Sequence, residues 1–127
     1  MRKLPRMPAH KLPLKIDQGA TYDKVLTWKT GTKAAAVPVD LTGCTARAQI
    51  RSEIDSPIVL LELTTENGRI HLGGPAGTIR ILIDATTTAA IDWESGVYDL
   101  EIVFAGGRVD RRLAGSVSVS KEVTRGG

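Results

Sequence analysis

The chain of 127 residues has few of the residues that mark disulfide-rich, metal-binding or aromatic-rich proteins. Its single cysteine, Cys44, excludes an internal disulfide, which fits folding in a reducing compartment. The two histidines, His10 and His71, stand apart from each other and from the cysteine, so the clustered ligands of a metal site are missing. Only five side chains are aromatic, and the core must therefore consist mainly of Val, Ile, Leu and Ala.

Long apolar runs are also missing. A membrane-spanning helix needs about 18 consecutive apolar residues, and no such run exists. The N-terminus begins with positive charge, but Pro5, Pro8 and Pro13 interrupt it before an apolar stretch forms, so we do not expect it to be a secretory signal. The hydrophobic content of 42% is ordinary for a globular protein. We expect one domain with enough core to fold independently.

Positive charge is concentrated at the N-terminus. The first fifteen residues contain no acidic residue and five cations: Arg2, Lys3, Arg6, Lys11 and Lys15. Removing these from the 17 Lys and Arg residues leaves 12, against 14 acidic residues, so the remaining chain carries about −2. Each proline favours an extended predecessor. We therefore expect a basic, extended arm over residues 1–13, a β domain over 14–125 and a short tail at 126–127.

Alternation of apolar and polar residues predicts strands along most of the domain. The pattern is clearest over 45–52, 78–83 and 96–104, where every second residue is apolar. Further strand signals cover residues 12–16, 20–30, 58–64, 70–72 and 109–120, with 31–38 as a loop. Seven or eight short strands at this spacing are typical of an antiparallel sandwich or barrel.

Turn and helix signals separate these strands. Residues 105–108 (Ala-Gly-Gly-Arg) predict a tight turn, and Asn67-Gly68 predicts a hairpin returning through residues 70–72. Residues 84–91 are the one plausible helical turn. Asp84 or Thr86 is its expected N-cap, and Ala89, Ala90 and Ile91 are expected to face the core.

Chemistry-bearing patterns are sparse. Asp99 and Glu101 share one face of a strand, as a glycosidase pair would, but the polar face of an amphipathic strand is the favoured interpretation. No serine lies in a Gly-x-Ser-x-Gly motif, and no glycine pair has the context of a phosphate-binding loop. His71 is expected at a solvent-facing strand edge, and Cys44 is expected as a small core residue or a half-buried one. We predict no enzymatic activity, no cofactor, no small-molecule substrate and no metal.

Two basic groups are candidates for binding a partner. The arm is either a solvated tail or a segment that docks on protein; contact with nucleic acid is less favoured, because no aromatic residue alternates with its cations. The second group comprises Arg108, Arg111 and Arg112, a possible interface. Arg108 is expected to pair with Asp110. Arg111 has the same parity as the apolar Leu113, so it either breaks the inward pattern or lies near an open end.

Several segments in order resemble a known class of proteins. These are residues 40–51 (DLTGCTARAQIR), the Asn-Gly turn, 77–81 (GTIRI), 85–91 (ATTTAAI), 96–102 (GVYDLEI), 113–119 (LAGSVSV) and 123–125 (VTR). Together they resemble small virion proteins of tailed bacteriophages, including N-terminal domains of baseplate upper proteins and Ig-like tail or capsid-associated modules. The resemblance covers about residues 14–125; the Pro-rich arm is not part of it.

The resemblance implies an all-β, Ig-like antiparallel sandwich that is a structural part of a phage virion in its tail, baseplate or fibre-attachment region. Its partners would be other virion proteins and symmetry-related copies of itself, and it would be made in the host cytoplasm. A capsid decoration or head–tail joining protein is the first alternative. A carbohydrate-binding module is a second, and it would require Trp28 and Trp93 to be exposed on one face.

Overall fold

The computed structural model describes residues 9–32 and 34–126. Over these ranges it contains eleven strands and one short α-helix: β1 (His10–Lys11), β2 (Leu14–Asp17), β3 (Tyr22–Thr27), β4 (Lys29–Thr30), β5 (Val37–Pro38), β6 (Thr45–Arg51), β7 (Leu61–Thr64), β8 (Ile70–Leu72), β9 (Thr78–Ile83), α1 (Ala85–Ala89), β10 (Ser95–Val103) and β11 (Val109–Ser120). A 3₁₀ turn, Gly74–Ala76, joins β8 to β9. Eight of these described strands have three or more residues, and the predicted all-β fold is confirmed.

The strands form two main sheets and a small ribbon. The larger sheet has the order β1–β11–β10–β6–β7, with β2 also on β11, and the smaller sheet has the order β3–β9–β8. The pair β4–β5 forms the ribbon. The chain passes repeatedly from one sheet to the other, as in Ig-like sandwiches. The pairs are antiparallel except that β1 and β2 run parallel to β11.

The inner faces of both sheets share one hydrophobic core. Leu100 and Ile102 of β10 are fully buried, and Ile79, Ile81 and Ile83 of β9 oppose them from the smaller sheet in the same cluster. The alternation of residues along these strands is therefore the pattern of a sheet with one buried face, as predicted. The predicted tight turn at residues 105–108 is also present, closed by the Phe104 N–H donating to the Arg108 carbonyl at 2.9 Å.

The Asn67-Gly68 turn does not form the predicted hairpin. It links β7, which pairs with β6 in the larger sheet, to β8, which pairs with β9 in the smaller one. The Asn67 side chain explains the turn, because its Oδ1 accepts from the N–H groups of Thr64 at 2.9 Å and Arg69 at 3.0 Å. The signal for a chain reversal was correct, but the reversal leads into the other sheet.

The helical turn is present with a different buried face. Asp84 is the N-cap, and its Oδ1 accepts from the Thr87 N–H at 2.8 Å, as predicted. Ile91 is buried as expected, but Ala89 and Ala90 are exposed. Thr88 is buried in their place, because its hydroxyl donates to the Ala20 carbonyl and accepts from the Gly19 N–H, which ties α1 to the turn before β3.

A β-bulge in β11 inverts the predicted parity near its start. Leu100 pairs with Leu113, but the next pair along the ladder is Glu101 with Arg111. Arg112 is thus the extra residue of the bulge. The residues before it lie on the face opposite to the one that simple alternation assigns to them. Val109, which the alternation placed with the inward residues, is accordingly exposed.

Candidate functional site

The last residues of the predicted arm are paired with the domain. His10 lies opposite Leu113 in the parallel pair β1–β11, and the Leu12 N–H donates to the Ala114 carbonyl at 2.9 Å. Pro13 has no N–H to offer, and pairing resumes at Leu14, whose side chain is fully buried. Residues 10–13, which we call the arm root, are therefore attached to the edge of the larger sheet.

A side-chain hydrogen bond fixes the arm root to the middle of the domain. The Tyr98 hydroxyl donates to the Leu12 carbonyl at 2.6 Å. Burial, together with the nearby Tyr22, raises the pKa of Tyr98 well above its ordinary value. The same carbonyl would lie 2.6 Å from a Cβ atom at position 115, so glycine is needed there for the close approach of the two backbones. The arm root thus has a defined position on the domain.

The five predicted arm cations fall into two groups. Lys11 in β1 and Lys15 in β2 are exposed on paired strands of the larger sheet. Arg2, Lys3 and Arg6 lie outside the described residues. The N-terminal segment, residues 1–8, therefore carries the three arm cations that precede the sheet.

Two arginines each lie over an aromatic ring beside the arm root. The guanidinium of Arg112 lies 4.6 Å from the centroid of the Trp28 ring, and that of Arg108 lies 5.1 Å from the Phe104 ring. Trp28 and Phe104 meet edge to face at 6.1 Å. Each such contact of a cation with an aromatic face is stabilising. Arg108 also pairs with Asp110 at 2.6 Å, which confirms the predicted ion pair.

The structure exchanges the faces that simple alternation would give to two neighbouring arginines. Arg111, whose parity matched that of Leu113, points to the exposed face and approaches Asp99 at 3.4 Å. Arg112 turns towards Trp28, and partial burial lowers the pKa of its guanidinium. The bulge causes this exchange. Within the second basic group, Arg111 and Arg108 are the exposed members.

A small cleft of about 80 Å³ lies between Arg112 and the arm root. His10, Thr27, Trp28 and Arg112 are among its lining residues. Trp28 is buried, and its Nε1 has no hydrogen-bond partner among the described residues. A buried ring offers no exposed face for stacking a sugar, so Trp28 does not meet the requirement of a carbohydrate-binding module.

A much larger groove lies at the far edge of the same sheet. It has a volume of about 510 Å³ and runs between the segment entering β7 and the α1 region. Its lining is mostly apolar: Val59, Leu60, Leu61, Ala90, Ile91 and Trp93, together with Thr86, Thr87 and Asp92. Trp93 is half-buried and packs against the core. We call this feature the loop–helix groove.

Charged groups of both signs lie at the loop–helix groove, and Arg69 Nη2 donates to the Thr87 hydroxyl that lines it, at 3.5 Å. Asp92 lines it and is exposed, and Glu53 and Asp55 are exposed in the loop that leads to it. These three carboxylates make no ion pair in the described part of the chain. The same loop exposes Ile54 and Ile58, which are 86% and 66% accessible. Exposed isoleucines beside an apolar groove are typical of a surface that another molecule covers.

Side chains block the outer edge of β7, the strand beside the groove. Asn67 Nδ2 and Arg69 Nη1 both donate to the Glu62 carbonyl at 2.9 Å, and the Thr64 N–H donates to Asn67. Glu62 and Thr64 lie on the edge strand β7, so these bonds occupy backbone groups that a further strand would need. A partner at this edge would therefore bind in the groove beside β7 and not by extending the sheet.

The residues considered for catalysis or metal binding do not lie together in one site. His71 is exposed on the edge strand β8, and Cys44 is half-buried, both as predicted. Burial, followed by the charge of Asp40, raises the pKa of the Cys44 thiol. Asp99 and Glu101 pair with Arg111 and Arg47 on the outer face, as a polar strand face would. Within residues 9–32 and 34–126 no three His, Cys, Asp or Glu side chains form a group that could hold a metal ion.

None of the helices formed by the described residues is long and apolar enough to cross a membrane. A scan of the sequence against protein-family models finds no match, and a search of curated proteins finds none either.

Sequence reasoning did not find the loop–helix groove. Its residues come from two segments about 30 positions apart, and neither segment has a binding motif of its own. A usable signal was present in the run Ile54, Ile58 and Val59, which places apolar residues in a loop that also contains Glu53, Asp55 and Pro57. Apolar residues in a polar, Pro-containing loop are candidates for contact with a partner.

Proposed function

We propose that this protein is a non-enzymatic structural module that assembles in multiple copies through its N-terminal segment. The tailed-phage virion is the setting that the sequence resemblance suggests, with the tail or baseplate as the location and a capsid or head–tail joining position as the alternative. In such an assembly each contact can be weak, because repetition by symmetry raises the total strength of attachment.

The observation that supports this proposal is the way in which the chain enters the domain. The arm root is bound along β11 and to Tyr98, so the basic segment leaves from a fixed point on the sheet edge. A segment held at one end loses less conformational freedom when it docks than a tail that is loose along its whole length. Without Arg2, Lys3 and Arg6 the chain has 14 Lys and Arg residues against 14 acidic residues, so the body carries no net charge that would repel the basic segment of another copy.

Sedimentation velocity over a range of concentrations tests the assembly role. The full chain should associate as concentration rises, whereas a chain beginning at Ala9 should remain monomeric with the same melting temperature. A full chain that stays monomeric at millimolar concentration would contradict self-assembly.

The virion setting has a separate test. Phage particles induced from the bacterium that carries the gene are purified, and their proteins are quantified by mass spectrometry. The protein should be present at a fixed ratio to the major structural proteins. Its absence from the purified particles would rule out a virion component.

A further inference from the structure

The N-terminal segment has a three-residue pattern. Met1, Leu4 and Met7 place an apolar residue at every third position, and Lys3 and Arg6 follow the same period. A polyproline II helix has three residues per turn, and the prolines of this segment favour it. In that conformation the three apolar side chains lie along one edge and the two cations along another. This is the form in which Pro-containing peptides bind aromatic-lined grooves.

We propose that the loop–helix groove is the acceptor for the N-terminal segment of a second copy of this chain. This inference rests on the proposed assembly role and names the surface that would carry it. The apolar edge of the segment contacts Val59, Leu61 and Trp93 in the groove. The cationic edge faces Asp92, the carboxylate that lines the groove.

Charge favours this occupant over a neutral or acidic one. Asp92 lines the groove, is exposed and makes no ion pair among the described residues, so it is available to Lys3 or Arg6. A basic segment with a regular apolar edge thus complements an apolar groove that carries this carboxylate.

Geometry requires that the segment comes from another copy. The arm root lies on β1 and the groove lies beside β7, at opposite edges of the larger sheet. Four strand spacings separate these edges, or about 19 Å. The eight residues of the segment span about 25 Å in polyproline II geometry. Crossing the sheet would use about six of them, so too few would remain to occupy the groove of the same molecule.

Contact between the arm of one copy and the groove of the next is head-to-tail. Each copy then offers one donor and one acceptor, so association produces closed rings or open filaments. The exposed edge strand β3 of the smaller sheet is a competing acceptor, and Val25 on that edge is 53% accessible.

Complementation of two full-length variants tests the inference. Leu4→Asp removes the centre of the apolar edge of the segment, and Ala90→Arg fills the groove with a bulky cation at an exposed position. Each variant alone should remain monomeric by sedimentation velocity at concentrations where the unaltered chain associates. An equimolar mixture should form a 1:1 complex, because one variant retains its groove and the other retains its arm.

Two further variants make the result specific. Val25→Arg places the same cation on the β3 edge and should leave association within twofold of the unaltered chain. Asp92→Lys reverses one charge at the groove and should weaken association at least tenfold. This variant takes the place of Ala90→Arg if Ala90→Arg fails to fold.

Three results would overturn the inference. The mixture could remain monomeric, the groove variants could associate normally, or Val25→Arg could abolish association in their place. In the last two cases the chain would still self-assemble, so the proposed function would survive the loss of the groove. A monomeric unaltered chain would overturn both.

Discussion

The hydroxyl of Tyr98 donates a 2.6 Å hydrogen bond to the carbonyl oxygen of Leu12, a residue 86 positions away in the sequence. The bond joins the strand at the centre of the larger sheet to the segment that leads out of it. It also satisfies a buried hydroxyl, which would otherwise be costly to place in the core. Through this contact the stability of the domain and the position of its N-terminal segment are coupled.

Replacing Tyr98 with Phe should loosen the arm root. We expect a loss of about 1 kcal/mol in the free energy of unfolding, because the Leu12 carbonyl loses its donor while the ring remains. Tyr22→Phe is the matched control, since the Tyr22 hydroxyl makes no hydrogen bond within the described part of the chain. Urea denaturation measures both, and equal effects from the two variants would show that the Leu12 contact contributes nothing.

The same pair predicts the response to alkaline pH. Because the pKa of Tyr98 is raised in the folded protein, the unfolded chain loses this proton first, near its ordinary value of 10.0. Stability from Tyr98 is therefore complete below pH 10 and decreases as pH rises above it. Tyr98→Phe should have a shallower decline than the unaltered protein between pH 9.5 and 11 in urea denaturation. Parallel declines would contradict the assignment.

Two deletions should separate docking from folding. Removing residues 1–8 should leave the melting temperature unchanged, since it keeps all the strand pairs that the described residues form, from His10 onwards. Removing residues 1–13 should lower the free energy of unfolding by at least about 2 kcal/mol. The packing of Leu12 is lost, together with the hydrogen bond from its N–H to Ala114 and the one that its carbonyl accepts from Tyr98. Thermal denaturation followed by circular dichroism distinguishes them. If the longer deletion is equally stable, the arm root is not part of the domain.

The sequence predicted the strands well and their partners less well. Alternation identified β6, β9 and β10, because residues on one buried face recur with a period of two. Alternation does not locate the bulge at Arg112, because the pairing of β10 with β11 decides which residue is left without a partner. The turn signal at Asn67 likewise does not indicate which sheet the chain enters next. The loop–helix groove arises only when α1 and the segment before β7 meet.

The bulge predicts different roles for adjacent arginines. Arg112→Ala should destabilise the protein by about 0.5–1 kcal/mol, because the guanidinium packs on the buried Trp28 ring. Arg111→Ala should change stability by less than about 0.5 kcal/mol, as for other exposed ion pairs. Chemical denaturation followed by tryptophan fluorescence compares them. The reverse order would indicate that the simple alternation, and not the bulge, describes β11.

Asn67 should be the most sensitive polar residue near the β7 edge. Asn67→Ala removes the acceptor for Thr64 and Arg69 and the donor to Glu62, so we expect a loss of about 1–2 kcal/mol and more aggregation from the opened edge. Asn67→Asp keeps the acceptor and should retain most of the stability. Denaturant titration and light scattering measure the two effects. If both variants match the unaltered protein, the side chain does not close this edge.

The central claim is that the N-terminal segment carries assembly, and its charge offers the most direct test. Sedimentation velocity at 150 mM salt should compare the full chain with a variant in which Arg2, Lys3 and Arg6 are all replaced by Glu. A matched variant replaces three exposed cations elsewhere in the chain, Lys24, Lys29 and Arg125, with Glu. We predict that the first variant is monomeric while the matched variant associates as the unaltered chain does. Normal association of the first variant would contradict the account.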